Sequence, residues 1–278
     1  MAKAFMSPAS EVPKAMEVEV LELTDEALRL LVRGADVAFV NALRRIMIAE
    51  VPCMAIEEVG ILENSSVLDD EVLAHRIGLI PLKMKPSILE EEPDKVVRFE
   101  LSAEAKEDTI TVYSGDLRSD SPDVVPLYPN MPIVKLAPGQ RIYLIATARL
   151  GTGSQHARWQ PVSAATHKYL PVIRIDVSRC TLCGKCIEIC PKRILDRTGN
   201  AMRVKNVITC TLCRDCVEVC PLDPPAIDVS WEEGSFVMYV ESTGALPPEI
   251  ILEQATKVLD RKLDEFEEKL KEVVAGEA

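Results

Sequence analysis

Cysteine spacing gives the clearest indication of chemistry in this 278-residue sequence. Eight of the nine cysteines fall between residues 180 and 220, in two strings that follow the pattern C-x-x-C-x-x-C-x-x-x-C-P. The strings are CTLCGKCIEICP at 180–191 and CTLCRDCVEVCP at 210–221. Gaps of two residues let a turning backbone direct three thiolates into one pocket, and thiolates bind both iron–sulfur clusters and zinc. The crowding therefore predicts metal binding rather than disulfide bonds.

The doubled pattern resembles the bacterial ferredoxin run, in which three close cysteines bind one 4Fe–4S cluster and the fourth binds the other. The resemblance assigns Cys180, Cys183, Cys186 and Cys220 to the first cluster, and Cys210, Cys213, Cys216 and Cys190 to the second. Two structural zinc sites are the alternative, but a third cysteine followed by x-x-x-C-P in both strings disfavours them. We therefore expect two 4Fe–4S clusters in a small ferredoxin-like fold, and bound metal supplies much of the folding free energy of such small domains.

No catalytic site is predicted anywhere in the chain. The three histidines have no cysteine, histidine or carboxylate at ligand spacing, and the sequence contains no phosphate-binding or nucleophile-elbow motif. Cys53, at the end of a predicted helix, is interpreted as a packing residue. Arg44 and Arg45 lie on that helix among apolar residues, where either a solvated pair or an anion contact at an interface is open.

Composition excludes several classes of protein. Apolar residues make up 47% and charged residues 27%, which is typical of a globular chain rather than a disordered one. The net charge of −12 and the low aromatic content of 4% disfavour an independent nucleic-acid binder, which needs a basic surface. No apolar run is long enough to span a membrane, and residues 1–14 do not resemble a secretory signal, so a cytoplasmic protein is expected.

The first part of the chain predicts a hairpin followed by a helix. Residues 1–15 are expected to form a loose lead-in. The runs at 17–23 and 27–32 are strand candidates separated by a turn. Apolar residues then recur at helical spacing from Val37, and Pro52 ends this helix.

The rest of the chain predicts a mainly β region and a long terminal helix. Short β-like runs separated by Pro- and Asp-rich loops fill 53–170, and further strands are expected at 171–178 and 234–243. A helix is expected over 247–274, roughly 37 Å of apolar stripe at 1.5 Å per residue. The stripe consists of Leu252, Ala255, Leu259, Leu263, Phe266, Leu270 and Val273. The predicted helix from Val37 covers only about half that length, so we expect a partner subunit to cover the remainder.

Three strings resemble a family of archaeal RNA polymerase components, the one designated D. They are NALRRIMIAEVP at 41–52, LAHRIGLIPL at 73–82 and GTGSQHARWQPV at 151–162. This family is related to the third-largest subunit of eukaryotic RNA polymerase II and to the N-terminal part of the bacterial alpha subunit. The resemblance covers nearly the whole chain.

The resemblance implies an α+β fold of three parts. A discontinuous, alpha-subunit-like dimerisation domain is expected at 1–52 and 229–278. A β-rich assembly domain is expected at 53–170. The inserted ferredoxin-like domain with two 4Fe–4S clusters is expected at 171–228, as in some archaeal members of the family.

The resemblance also implies a function in transcription without catalysis by this chain. The chain would heterodimerise with the small subunit L, join the small subunits N and P, and dock the large subunits that carry the nucleotidyltransferase site; DNA would be contacted only through the complex. Arg44 and Arg45 would contact the second-largest subunit. The stripe residues Leu252, Leu259, Leu263, Phe266 and Leu270 would bind a partner. The cysteine repeat alone leaves one alternative, an electron-transfer subunit of an anaerobic oxidoreductase.

Overall fold

The computed structural model describes residues 15–91 and 94–276, so nearly all of the predicted lead-in at 1–15 lies outside the described residues. The helices are α1 (Val37–Ala49), α2 (Asp70–Gly78), α3 (Ile88–Glu91), α4 (Lys185–Ile189), α5 (Asp215–Glu218) and α6 (Pro248–Gly276). The strands are β1 (Glu17–Leu23), β2 (Ala27–Arg33), β3 (Cys53–Asn64), β4 (Leu82–Met84), β5 (Val96–Glu104), β6 (Ile110–Tyr113), β7 (Arg118–Ser119), β8 (Val124–Pro126), β9 (Pro132–Leu136), β10 (Arg141–Gly151), β11 (Val162–Ile175), β12 (Leu195–Thr198), β13 (Ala201–Val204) and β14 (Ile227–Ser242).

The predicted hairpin and both long helices are confirmed. Strands β1 and β2 are neighbours, and their turn is closed by the Thr24 amide, which donates to the Ala27 carbonyl at 2.8 Å. Helix α1 begins at Val37, and α6 covers the predicted 247–274 within two residues at either end. The fold is mixed α/β, and none of the described helices is long and apolar enough to cross a membrane.

One compact unit comprises the described residues 15–21 together with 29–40 and 167–238. Most of a four-stranded sheet lies here, in the order β1-β2-β14-β11. Strand β11 ends at Ile175, not at the predicted 178, because the Asp176 carboxylate accepts hydrogen bonds from the Ser178 amide and hydroxyl and turns the chain. Strands β11 and β14 run without a break across the predicted boundaries at 170 and 228, and the three-part division stays a prediction.

The cysteine-rich block of this unit packs around a small core to which β11 and β14 also contribute. Its secondary structure consists of α4, α5, the β12–β13 hairpin and a 3-10 helix at Val207–Thr209. The buried core residues are Ile194, Leu195, Met202, Cys210, Ile227 and Val229. Five more cysteines are partly buried and pack against this cluster, so sulfur atoms form much of the interior of the block.

The second unit comprises 22–28, 41–166 and 239–276 of the described chain. Its main sheet has the order β3-β10-β5-β7. Alternate residues of β5 face the interior, so that Phe99 and Leu101 are fully buried, and they pair with Ala146 and Leu144 of β10. This alternation is the reason that the sequence here predicts strands. The expectation of a mainly β region over 53–170 is confirmed.

Candidate metal centres and partner-binding surfaces

The two cysteine strings adopt the same backbone path. Leu182 and Leu212, at equivalent positions, both have left-handed backbone angles, with φ of 58° and 60°. Gly184 and Arg214, two residues later, repeat the match with φ of 80° and 66°. A left-handed conformation costs roughly 1–2 kcal/mol for residues other than glycine. Its recurrence at matching positions directs the cysteines of each string to a common side.

Each loop borders a cavity, and the two cavities divide the eight cysteines as the ferredoxin pattern predicts. The first is lined by Cys180, Cys183, Cys186 and Cys220, with Ile175, Met202 and Ile227 among the apolar walls. The second is lined by Cys210, Cys213, Cys216 and Cys190, with Ile173, Ile194 and Val229 among the apolar walls. In both cavities the fourth cysteine comes from the other string. The structure therefore brings each predicted set together.

Neither cysteine set is arranged around a single ion. In the part of the chain that the structure describes, no group of three or more His, Cys, Asp or Glu side chains is placed to hold one metal ion. Four thiolates on a zinc ion would each lie about 2.3 Å from one point. A cubane would need one thiolate for each of its four irons, and four cysteines line each cavity.

Burial and the charges of neighbouring cysteines raise the pKa of one thiol in each cavity. Burial, followed by the charges of Cys210 and Cys213, raises the pKa of Cys216 to about 11. Burial, followed by the charges of its neighbouring cysteines, raises the pKa of Cys186 as well. A bound cation would favour the thiolate form of these two side chains. Backbone amides already point at two of the sulfur atoms: Leu212 N lies 3.4 Å from Cys210 Sγ, and Ala226 N lies 3.4 Å from Cys220 Sγ.

The sequence did not predict one side chain beside the second cavity. Lys168, in β11, donates from Nζ to the carbonyl oxygens of Ile208 and Cys210. No motif marks such a contact, because it joins residues forty positions apart through backbone oxygens. The only signal in the sequence is a lysine within a predominantly apolar stretch, between His167 and Leu170.

Helix α6 has two apolar faces, one buried within the chain and one largely exposed. Ile251, Ala255 and Val258 are buried within the chain. On the predicted partner-binding stripe, Leu252 and Leu259 are half-buried, and Leu263, Phe266 and Leu270 are exposed. Phe266 exposes 65% of its surface, and Val273 continues the exposed stripe by one turn. Regularly spaced exposed apolar residues of this extent are typical of an interaction surface.

Helix α1 carries the arginine pair that was expected at an interface. Arg44 is half-buried and donates from Nε and Nη2 to the Asn41 side-chain oxygen at 3.1 and 3.0 Å. Arg45 is exposed, and within the described ranges no carboxylate pairs with it. Its guanidinium is therefore available to an anionic group of a partner.

Comparison with known proteins identifies the family. A family model described as the RNA polymerase Rpb3/Rpb11 dimerisation domain matches residues 29–263. The chain belongs to this family. Three relatives carry the name DNA-directed RNA polymerase subunit Rpo3. The protein from Archaeoglobus fulgidus is 41% identical over 267 residues, which cover 92% of this chain and 98% of the relative. Those from Methanothermobacter thermautotrophicus and Pyrococcus furiosus are 41% and 37% identical over 90% and 94% of this chain, and over 97% and 99% of their own lengths.

In this Rpb3/Rpb11-type chain, the three strings that carried the resemblance meet in space. Gly153 of the third string lies against α1 of the first, where an added Cβ would come within 2.2 Å of the Ile48 carbonyl oxygen. Arg158 of the third string packs beside Gly78 of the second and donates from Nη1 to the Ile56 carbonyl at 2.8 Å. Trp159 is buried beneath the Arg158 guanidinium. The three strings therefore form one packed junction within the second unit.

Proposed function

We propose that this protein is a non-catalytic assembly subunit of DNA-directed RNA polymerase. The observation that carries the proposal is the family match over residues 29–263, together with relatives named as a polymerase subunit that align over almost their whole lengths. The alternative, an electron-transfer subunit of an oxidoreductase, is not favoured, because the match includes residues on both sides of the cysteine block. The nucleotidyltransferase site would lie on the large subunits, and DNA would be contacted only through the complex.

Affinity purification of the tagged chain from native cells tests this function. The large polymerase subunits should co-purify in stoichiometric amounts. Recovery of a redox enzyme without polymerase subunits would instead establish the alternative. Salt should be kept near physiological strength during the washes, because contacts at charged surfaces such as Arg45 weaken as ionic strength rises.

The exposed stripe of α6 is the proposed binding surface for the small subunit L, with Leu252, Leu259, Leu263, Phe266 and Leu270 as contact residues. The partner would supply a helix against this face, and the buried residues Ile251, Ala255 and Val258 would hold α6 to its own chain. The small subunits N and P and the large subunits would then join the heterodimer. Arg44 and Arg45 are proposed to contact the second-largest subunit.

Phe266→Asp tests the stripe without disturbing the fold of the isolated chain, because Phe266 is exposed there. The new carboxylate would be buried unpaired in an apolar seam, which costs several kcal/mol, and heterodimer formation should be lost. Arg261→Gln makes the same change in net charge on the opposite side of the helix and is the matched control. Unchanged affinity of Phe266→Asp for the partner would place the interface elsewhere.

The two cysteine-lined cavities are the proposed sites of two 4Fe–4S clusters. Cys180, Cys183, Cys186 and Cys220 would hold the first, and Cys210, Cys213, Cys216 and Cys190 the second. The chemistry of the donors fits, since four thiols surround each cavity and backbone amides point at two of the sulfur atoms. A bound cluster would supply redox-active iron and would cross-link the loops. We propose a structural or regulatory role, because sulfur atoms make up much of the block's interior.

Iron and sulfide analysis with EPR tests the cofactor. Protein prepared anaerobically should contain about eight iron and eight sulfide per chain. Reduction should give the signals of two interacting cubanes. Stoichiometric zinc without iron would contradict the cluster assignment and leave the polymerase function standing.

Loss of the clusters is proposed to weaken assembly in stages. The block should unfold without metal, whereas α6 keeps its own apolar contacts, so the heterodimer should still form. Later association with the large subunits should weaken. Reconstitution of polymerase from cluster-loaded and cluster-free protein measures both steps. Equal yields of complete enzyme would exclude a role in assembly, and redox-dependent transcription at equal yield would indicate electron sensing.

A further inference from the structure

The two cysteine loops differ in how they are held, although their backbones match. In the second loop, Nζ of Lys168 donates to the Ile208 carbonyl at 2.5 Å and to the Cys210 carbonyl at 2.6 Å. Lys168 belongs to β11, a strand of the four-stranded sheet, and is half-buried. Cys210 is buried and is the first cysteine of the second set. One ammonium group therefore joins the sheet to a ligand-bearing loop.

Apolar packing reinforces this attachment at the same place. Ile208 packs against a buried cluster formed by Leu31 of β2, Leu170 of β11 and Val237 of β14. The Ile208 carbonyl thus accepts a hydrogen bond from Lys168, and the Ile208 side chain packs against the sheet. The loop around the second cavity is fixed to the sheet by a polar and an apolar contact.

The first loop is held from within the cysteine-rich block. The Asp176 carboxylate, at the start of the loop, accepts hydrogen bonds from the amides of Ser178 and Arg179 at 3.0 and 3.2 Å. Nη2 of Arg179 donates to the Pro224 carbonyl at 2.6 Å, and Pro224 follows the last cysteine of the block. These hydrogen bonds attach the first loop to other residues of the cysteine-rich block.

We propose that Lys168 is a positioning residue for the second cluster and couples that cluster to the sheet. The ammonium group fixes the Cys210 backbone, which in turn orients the Cys210 sulfur towards the cavity. Loss of the second cluster would free the 208–213 loop and loosen β11, whereas loss of the first cluster would stay local to the block. This inference rests on the proposed clusters and adds that the two are not equivalent.

Cluster release from single-cluster variants tests the proposal. Cys183→Ser should remove the first cluster and keep the second, and Cys213→Ser should remove the second and keep the first. Both cysteines are exposed, so the two variants are matched. Lys168→Met is introduced into each, and iron release to a chelator is followed anaerobically. Removing an outer contact of a metal site costs about 10- to 100-fold in metal affinity. We expect Lys168→Met to accelerate iron loss by at least about tenfold in the Cys183→Ser background and to leave the Cys213→Ser background unchanged.

Two controls separate positioning from a general effect of charge or fold. Lys185→Met removes the same charge from the first loop and should not affect release from the second cavity. Lys168→Arg keeps a donor and should restore part of the retention. Equal acceleration by Lys168→Met in both backgrounds, or no rescue by arginine, would overturn the proposal.

Hydrogen exchange of β11 in the full-length single-cluster variants gives a second readout that needs no lysine variant. Residues 168–173, which stop short of Ile175 in the wall of the first cavity, should exchange faster after the second cluster is lost through Cys213→Ser and should not change after Cys183→Ser. Identical exchange in the two variants would overturn the coupling. Absence of iron from the wild-type chain would contradict the cofactor proposal as well. If the wild-type chain contains about eight irons but Lys168→Met does not change the rate of iron release, only the role of Lys168 is contradicted.

Discussion

The cysteine-rich block and the β-rich sheet of the second unit bury their interiors in different ways. The block has six buried core residues, of which Cys210 is one, and other cysteines pack around them. The sheet is filled by side chains such as Phe99, Leu101 and Ile142, which are almost fully buried. Among the described residues, none of the largest fully buried side chains lies between 171 and 228.

The difference supports the proposal that the cysteine-rich block binds a cofactor. Burial of a large apolar side chain stabilises a fold by about 1.5–3 kcal/mol, and the β-rich sheet gains this many times over. A block of about fifty residues with few large buried side chains gains little, so we expect ligands bound to its thiols to supply the remainder. The same chain thus contains a region that folds on apolar burial and a region that we expect to fold on metal.

Truncating a large core side chain should give the largest effect and separate the two regions. Phe99→Ala should destabilise the second unit by about 3–5 kcal/mol, because it opens a cavity in a fully buried site. The loss should be the same with and without iron, as measured by urea unfolding. Leu195→Ala, in the cysteine-rich block, should instead increase the rate of iron release. A Phe99→Ala loss that depends on iron would mean that the regions are not independent.

Gly153→Ala should have an intermediate effect on the junction of the three signature strings. The new Cβ would lie 2.2 Å from the Ile48 backbone oxygen, so the loop or α1 must move. Overpacking of this kind typically costs about 1–3 kcal/mol. Gly60→Ala is the matched control, since its Cβ would meet only the Ile145 carbonyl oxygen at 3.7 Å. Equal thermal stability of the two variants would contradict the packing of this junction.

The smallest effect concerns the ninth cysteine, and it contrasts with the cavity thiols. Burial raises the pKa of Cys53 to about 12, which agrees with the interpretation of Cys53 as a packing residue. The pKa of Cys53 is higher in the folded than in the unfolded chain, so the neutral thiol is compatible with folding. The stability associated with the buried Cys53 thiol is fully present below pH 9 and is lost as pH rises towards 12. In iron-free protein at pH 8, where the block is expected to be unfolded, iodoacetamide should modify the eight cysteines of the block and leave the buried Cys53 intact. Rapid modification of Cys53 would contradict its burial.

Sequence periodicity predicted the elements whose packing repeats locally. The start of α1 at Val37, the β1–β2 hairpin and the extent of α6 follow from apolar spacing and from turn residues. Strand β11 was predicted only over its last part, because VSAATHKYL at 162–170 does not alternate between apolar and polar residues. Its pairing within a sheet supplies what the local pattern lacks.

The candidate sites likewise include some that the sequence pattern predicted and one that it did not. The spacing of the cysteines, read by the ferredoxin pattern, anticipated which four line each cavity, including the exchange of Cys190 and Cys220. The stripe of α6 was predicted as one face, but the structure buries Ile251 and Val258 and leaves Phe266 exposed, since a helix can present two apolar faces at neighbouring angles. The contact of Lys168 with backbone oxygens could not be predicted, because it depends on tertiary structure alone.

Hydrogen exchange of the full-length chain, with and without its clusters, tests the central distinction most directly. With both clusters bound, backbone amides of residues 176–226 should be protected. After anaerobic removal of iron, the same amides should exchange at rates close to those of an unfolded chain, whereas β3, β5 and β10 should keep their protection. Equal protection of residues 176–226 in the two samples would show that the block folds without metal and would contradict the account.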